Sequence, residues 1–282
     1  MKKSQTDVLP QTEREWLKTG KFTIHCSSIL GHRIRYAITN SVDTNLLVTM
    51  VGGIPRDPIR RSKLPLINKL YGLMATKLVD HGINSVLYNQ PGTGGSSGDW
   101  DSETIDSRSK TLVGLIKHVG KVTKCSKHTL VGSSAGAYMA VRATDLLKDT
   151  KNKIDTLLLI SPAAYPLLIE SIPYGENFSK LIREPWDVVN SPVFNRLERF
   201  VSEGGSLLIS FFEADDPPIP ILIQHCYCAF ARKMISQNHD VRVIMIPSVA
   251  HNFRRIKTAK SGNVVDNDSI RSTTEEFIRF II

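Results

Sequence analysis

The chain has 282 residues, 41% of them hydrophobic, so it can bury a sizeable core and is too apolar to be a disordered segment. Its 36 Lys and Arg against 27 Asp and Glu leave a formal charge of +9, and the dense basic clusters are short, at Arg60-Arg61-Ser62-Lys63 and Arg254-Arg255-Ile256-Lys257. No zinc-finger, RNP or basic-helix pattern accompanies them, so the charge reads as a solvated basic face and nucleic acid is not an expected partner.

Met1 to Asp7 starts with basic residues but has no apolar run behind it, and no stretch of about 18 apolar residues occurs later. The expectation is a cytoplasmic chain with no membrane span. Lys21 to Ser28 and His32 to Asn40, joined by Ile29-Leu30-Gly31, predict an antiparallel hairpin at one edge of a sheet. Buried strands are then expected at Leu46 to Val51, Ser85 to Tyr88, Thr129 to Val131, Thr156 to Ile160, Ser206 to Phe212 and Val241 to Ile246. Leu66, Ile67, Leu70, Leu73, Met74 and Leu78 recur at three- and four-residue spacing, which predicts a crossover helix ending at His81-Gly82. Residues 103 to 119 and 136 to 148 read as further helices. The last helix is expected to begin near Ser272-Thr273-Thr274-Glu275, where a hydroxyl precedes an acid at the capping-box interval. This alternation builds an α/β protein, a mostly parallel eight-stranded sheet flanked by helices, in one domain over 1–282.

Between Ala163 and Gly205 about forty residues separate two strands, more than a single crossover helix needs. Tyr165, Leu167, Leu168, Tyr174, Phe178 and Trp186 make this insertion a candidate helical cap or lid over a pocket; the plainer reading is that it completes the core. The four cysteines, Cys26, Cys125, Cys226 and Cys228, are too scattered for a disulfide framework. Cys226 and Cys228 beside His225 lack the second cluster that a zinc site needs, so buried thiols and no metal are expected.

The strongest chemical signal is Thr129-Leu130-Val131-Gly132-Ser133-Ser134-Ala135-Gly136, a strand running into Gly-x-Ser-x-Gly and then a helix-compatible run. A serine held on a sharp strand-to-helix turn projects its hydroxyl off the sheet, and the residues two before and two after it must be small. That spacing selects Ser134 over Ser133. It also puts the Ala135 amide at a helix N-terminus, where unpaired N–H groups and the helix dipole favour a developing oxyanion. Serine needs an adjacent base, and His251 follows the last strand across Pro247-Ser248-Val249-Ala250, where a loop can reach over the sheet. The carboxylate that would orient it should follow the preceding strand. Asp215 and Asp216 both do, and Asp216 is favoured because it precedes Pro217-Pro218-Ile219-Pro220 at an interval suited to opening a helix. A second oxyanion donor is expected from the loop Gly52-Gly53-Ile54-Pro55, through the Ile54 amide. The loop Gly92-Thr93-Gly94-Gly95-Ser96-Ser97 fails as a dinucleotide fingerprint because Ser97 stands where a glycine is required, and it lacks the Gly-Lys-Ser/Thr ending of a P-loop.

The elbow Gly132-Ser133-Ser134-Ala135-Gly136, the loop Asn89 to Ser97, the Asp215-Asp216 turn and Ala250-His251-Asn252-Phe253 follow one another as the motifs of the α/β-hydrolase fold superfamily do, and the chain resembles that superfamily over nearly its whole length. The superfamily's usual His-Gly before the oxyanion residue reads Gly52-Gly53 here, and its frequent Gly-His reads Ala250-His251. The resemblance implies that Ser134 attacks a carbonyl, His251 takes and returns the proton, Asp216 or Asp215 orients His251, and Ala135 with Ile54 forms the oxyanion hole. It implies a serine hydrolase of carboxylic esters or thioesters, working through an acyl-enzyme without a cofactor. Two other readings use the same fold: an acyltransferase with the same triad, and a binding protein without turnover. The expected substrate is a small-molecule acyl ester or thioester, with medium-length acyl groups preferred over acetyl. The basic balance adds an acidic acyl carrier as a candidate partner.

Overall fold

The computed structural model describes residues 12–41, 45–53, 63–182, 187–214, 219–250, 254–255 and 267–282. β1 (Phe22–Ile29) and β2 (His32–Thr39) form the expected edge hairpin. Its two turn residues both have positive φ, 48° at Leu30 and 84° at Gly31, as a two-residue turn matched to strand twist requires. β3 (Leu46–Val51), β4 (Asn84–Tyr88), β5 (Lys127–Ser133), β6 (Thr156–Ile160), β7 (Ser206–Ala214) and β8 (Val241–Ala250) are mutually parallel; β3 to β7 are mostly buried, whereas β8 buries Val241 and Ile246 and exposes Arg242, Met245 and Pro247. The strand order is β1-β2-β4-β3-β5-β6-β7-β8-β9. The chain leaves β3 toward β4 and then crosses to β5 on the other side of β3. The crevice beyond the carboxyl ends of β3 and β5 is therefore a topological switch point, where open α/β sheets bind ligands.

Helices cover both faces. Leu112 and Leu115 of α3 (Ile105–Thr123), Tyr138 of α4 (Ala135–Leu147), Leu197 of α6 (Pro192–Ser202) and Tyr227 of α7 (Ile221–Ser236) bury one face. Trp16 of α1 (Glu13–Leu17), Met74 and Leu78 of α2 (Lys69–Asp80) and Phe277 of α8 (Asn267–Ile281) bury the other. α5 (Glu176–Leu181) lies in the long insertion. Among the described residues no helix is long and apolar enough to cross a membrane.

The structure corrects four expectations. A ninth strand, β9 (Arg254–Arg255), pairs antiparallel with the end of β8, so Val249 and Ala250 form strand rather than loop: β9 gives them ladder partners that the sequence pattern does not announce. The last helix begins at Asn267, ahead of Ser272, and the Thr274 hydroxyl donates to the Ile270 carbonyl at 2.7 Å within the helix instead of capping it. Leu66 and Ile67 precede α2, which Asn68 caps by accepting from the Tyr71 amide at 2.9 Å. Of the cysteines only Cys125 is buried; Cys26 lies exposed on the edge strand, and Cys226 and Cys228, on either side of buried Tyr227, are half-buried.

In the insertion, Ile169, Tyr174, Phe178, Val193 and Leu197 pack into the core, while Leu167, Leu168 and Val189 are exposed. A buried ion cluster fastens its first turn. Glu170 accepts from Arg142, Arg196 and the Tyr138 hydroxyl, and Arg142 also pairs with Asp106. Burial alone would raise the Asp106 carboxyl, but Lys110 and Arg142 outweigh it and hold it below the usual carboxylate range. Glu170→Ala would leave two largely buried guanidinium groups without their shared partner and should destabilise the protein by about 3–5 kcal/mol, which chemical denaturation would measure.

His128 on β5 is 1% exposed, and neither ring nitrogen has a hydrogen-bond partner among the described residues. Burial pushes its pKa down, against a weaker opposing pull from Asp155. The folded state thus favours the neutral ring, so its contribution to stability is present above the ordinary histidine pKa of about 6.5 and is lost as pH falls through the lower folded value. Melting temperatures between pH 7.5 and 5 should fall more steeply for the wild type than for His128→Gln.

Candidate active site

Ser134 sits at the switch point, between the end of β5 and the first residue of α4, with φ 53° and ψ −125°. A non-glycine residue at positive φ is strained, and the surroundings hold it there. The Ser134 amide donates to Ile160 O at 2.9 Å, and the Ser134 carbonyl accepts from the amides of Ala137 at 3.0 Å and Ala163 at 3.2 Å. Both flanking glycines are required by contact: a Cβ on Gly132 would lie 2.6 Å from Ala137 Cα, and one on Gly136 would lie 2.4 Å from Gly52 O. This is the strand-turn-helix context that the Gly-x-Ser-x-Gly spacing predicts. Ala135 opens the helix, its amide among the N-terminal N–H groups that α4 leaves without an intrahelical partner.

The chain after β3 runs close beside the serine. A Cβ on Gly53 would sit 3.1 Å from Ser134 Cβ and 3.5 Å from Ser134 Oγ, so a side chain there would press on the serine. Tyr71 of α2 ties the two loops together: its hydroxyl lies 2.9 Å from Val51 O and 2.8 Å from Ser133 Oγ. Complete burial pushes this phenol's pKa well up, so it stays a neutral hydrogen-bonding group. Ser133 is thus taken up by Tyr71.

The glycine-rich loop spends its polar groups on the protein itself. Gly92 N donates to Ser97 O at 3.0 Å, and the hydroxyls of Ser96 and Ser97 accept from the amides of Arg35 at 2.9 Å and Arg33 at 2.7 Å. It fastens β2 to the end of β4 beside the serine.

Of the residues singled out from sequence, Ser134 and Ala135 are described, whereas Ile54, Asp215, Asp216 and His251 lie outside the described residues. Their described neighbours meet. Ala214, which precedes Asp215, is in register with Ala250, which precedes His251, across the parallel β7–β8 ladder. A cavity of about 310 Å³ adjoins Ser134, lined by Met50, Leu66, Tyr71, Leu87 and Gln90 among others. Its described walls come from residues 50–93 and the elbow, and none from the 163–205 insertion. Among the described residues no group of three or more His, Cys, Asp or Glu side chains could hold a metal ion.

Tyr71, Gln90 and Arg108 are the site's neighbours that motif reasoning missed. Arg108 did leave a signal: it stands in the apolar stripe Ile105, Leu112, Leu115, Val119 of α3, where a basic residue is out of place unless it has a buried task.

Residues 68–184 match the model of a hydrolase family described as serine aminopeptidase, S33. No curated protein sequence matches the chain. Among solved structures, an α/β serine hydrolase homologue from Coxiella burnetii is similar at 16% identity and a TM-score of 0.58, over 91% of this chain and 96% of that one. An α/β serine hydrolase without a lid from Xanthomonas campestris is similar at 16% identity and 0.58, over 93% and 94%. Est1E from Butyrivibrio proteoclasticus, solved with ferulic acid bound, is similar at 12% identity and 0.62, over 91% and 99%.

Proposed function

We propose that this chain, which has the α/β-hydrolase fold, is a serine hydrolase that cleaves a carboxylic ester or thioester through an acyl-enzyme on Ser134. The observation that carries the reading is the strained Ser134 backbone in the wall of a cavity, at the N-terminus of α4 and at the switch point of the sheet. Strain of this kind persists where the surroundings over-determine it, as they do at active sites.

In this reading Ser134 Oγ attacks the substrate carbonyl while His251 takes its proton. The tetrahedral oxyanion is held by the amides of Ala135 and Ile54. Collapse breaks the bond to the alcohol or thiol, which leaves with the proton from His251, and water repeats the sequence to release the acid. Asp216, or Asp215 in its place, accepts from the His251 ring and fixes its tautomer. The register of Ala214 against Ala250 supports bringing these two loops together.

The acyl pocket in this proposal is the cavity beside Ser134, whose described apolar walls, Met50, Leu66 and Leu87 among them, favour medium-length acyl groups; the 163–205 insertion, expected as a cap, contributes none of those walls. Each buried methylene contributes about 0.8 kcal/mol, so kcat/KM should rise roughly three- to fourfold per added methylene until the pocket is full. p-Nitrophenyl esters of two to twelve carbons measure this, and a steady fall from acetyl onward would contradict it. An acidic acyl carrier drawn to the basic chain would lose association rate as salt screens it.

The reading is tested by a panel of esters and thioesters, with an aminoacyl anilide included because the matching family model is described as an aminopeptidase. Ester or thioester turnover that vanishes in Ser134→Ala supports it. Turnover of the anilide alone would make the protein a peptidase, and binding without turnover would make it a binding protein.

A further inference from the structure

Gln90 and Arg108 stand one step behind the site, and their polar atoms are committed to it. Gln90 is 5% exposed and Arg108 fully buried. The Arg108 guanidinium lies 4.0 Å from the Trp100 ring centroid and 4.7 Å from that of Tyr174. Its Nη1 donates to Gln90 Oε1 at 2.8 Å and its Nη2 to Pro91 O at 2.5 Å. Gln90 Nε2 then donates to Gly52 O at 2.7 Å. The direction of this chain is fixed by chemistry: a guanidinium only donates and a carbonyl only accepts, so the amide between them has one orientation.

Gly52 O also lies close to Gly136 at the start of the nucleophile's helix, where a Cβ would sit 2.4 Å from it. Gln90 Nε2 thus grips the carbonyl beside that helix. A trans peptide is planar, with its N–H opposite its carbonyl, so gripping Gly52 O also fixes the Gly53 N–H and the course of the chain past Ser134. We infer that Gln90 and Arg108 are positioning residues that fix the Gly52–Gly53 peptide, and with it the start of the loop that carries the proposed Ile54 oxyanion donor, an inference that rests on the serine-hydrolase reading of Ser134. Tyr174 belongs to the 163–205 insertion and its carbonyl accepts from Trp100 Nε1 at 3.1 Å, so the same chain of contacts ties the insertion to the oxyanion loop.

Gln90→Glu separates positioning from packing. It offers Arg108 an oxygen as before, and Arg108 keeps the new carboxyl ionised, but it sets a second oxygen against Gly52 O where a donor stood. Gln90→Leu removes both bonds. Full-length wild type and both variants would be compared on the best ester of the panel, on the rate of Ser134 labelling by a fluorophosphonate, on affinity for an alkyl boronic acid that forms a tetrahedral serine adduct, and on thermal melting. Gln90→Glu should still melt cooperatively, while kcat and labelling rate fall roughly ten- to hundredfold. KM should stay within about threefold, and boronate affinity should drop by the same factor as kcat/KM. Wild-type kcat, labelling and boronate affinity in folded Gln90→Glu would overturn the inference and leave the serine-hydrolase reading standing; so would a change confined to KM. If the wild type itself neither turned over any substrate nor labelled, the serine-hydrolase reading would fall and this inference with it.

Discussion

Ser134→Ala is expected to lower kcat by about six orders of magnitude while leaving the fold intact, because a missing nucleophile cannot be replaced by the rest of the constellation. The alanine keeps the Cβ and therefore the backbone strain at φ 53°. Ser134→Gly should be equally inactive yet more stable than Ser134→Ala by about 1 kcal/mol, since glycine adopts positive φ without steric cost. Turnover on the best panel substrate and denaturant midpoints for the two variants measure both effects. Loss of activity through unfolding would appear as loss of both.

Asp216→Asn should lower kcat by about three to four orders of magnitude, the cost of presenting His251 in the wrong tautomer, and Asp215→Asn should do much less. The preference for Asp216 comes from its place before the Pro-Pro-Ile-Pro run, and Pro220 is the residue that precedes the first turn of α7. The opposite ranking, measured with both variants cooperatively folded, would transfer the orienting role to Asp215.

The sheet was legible because strands buried on both faces are written as short runs of Val, Ile and Leu, and the elbow because sterics allow few residues around a serine on a strand-to-helix turn. Gly132 and Gly136 show that reasoning in atomic contact, each facing backbone that a side chain would strike. What escaped depends on partners distant in sequence. β8 continues to Ala250 because β9 pairs with it, and nothing in Pro247 to Ala250 states that in advance. Tyr71 looks like an ordinary member of a helical apolar face until its hydroxyl is seen bridging Val51 and Ser133. Gln90 stands in the sequence only as a member of the Asn89 to Ser97 loop motif, and its hydrogen bonds to Arg108 and Gly52 span 18 and 38 residues. Arg108 alone carried a readable anomaly, a guanidinium on a buried stripe, where such a group must have partners.

The central claim is that Ser134 is a covalent nucleophile. Treating the folded full-length protein with a fluorophosphonate probe and mapping the labelled peptide tests it most directly. The account predicts a single phosphonylated residue, Ser134, and no label in Ser134→Ala; label on Ser133, or none in folded wild-type protein, would contradict it.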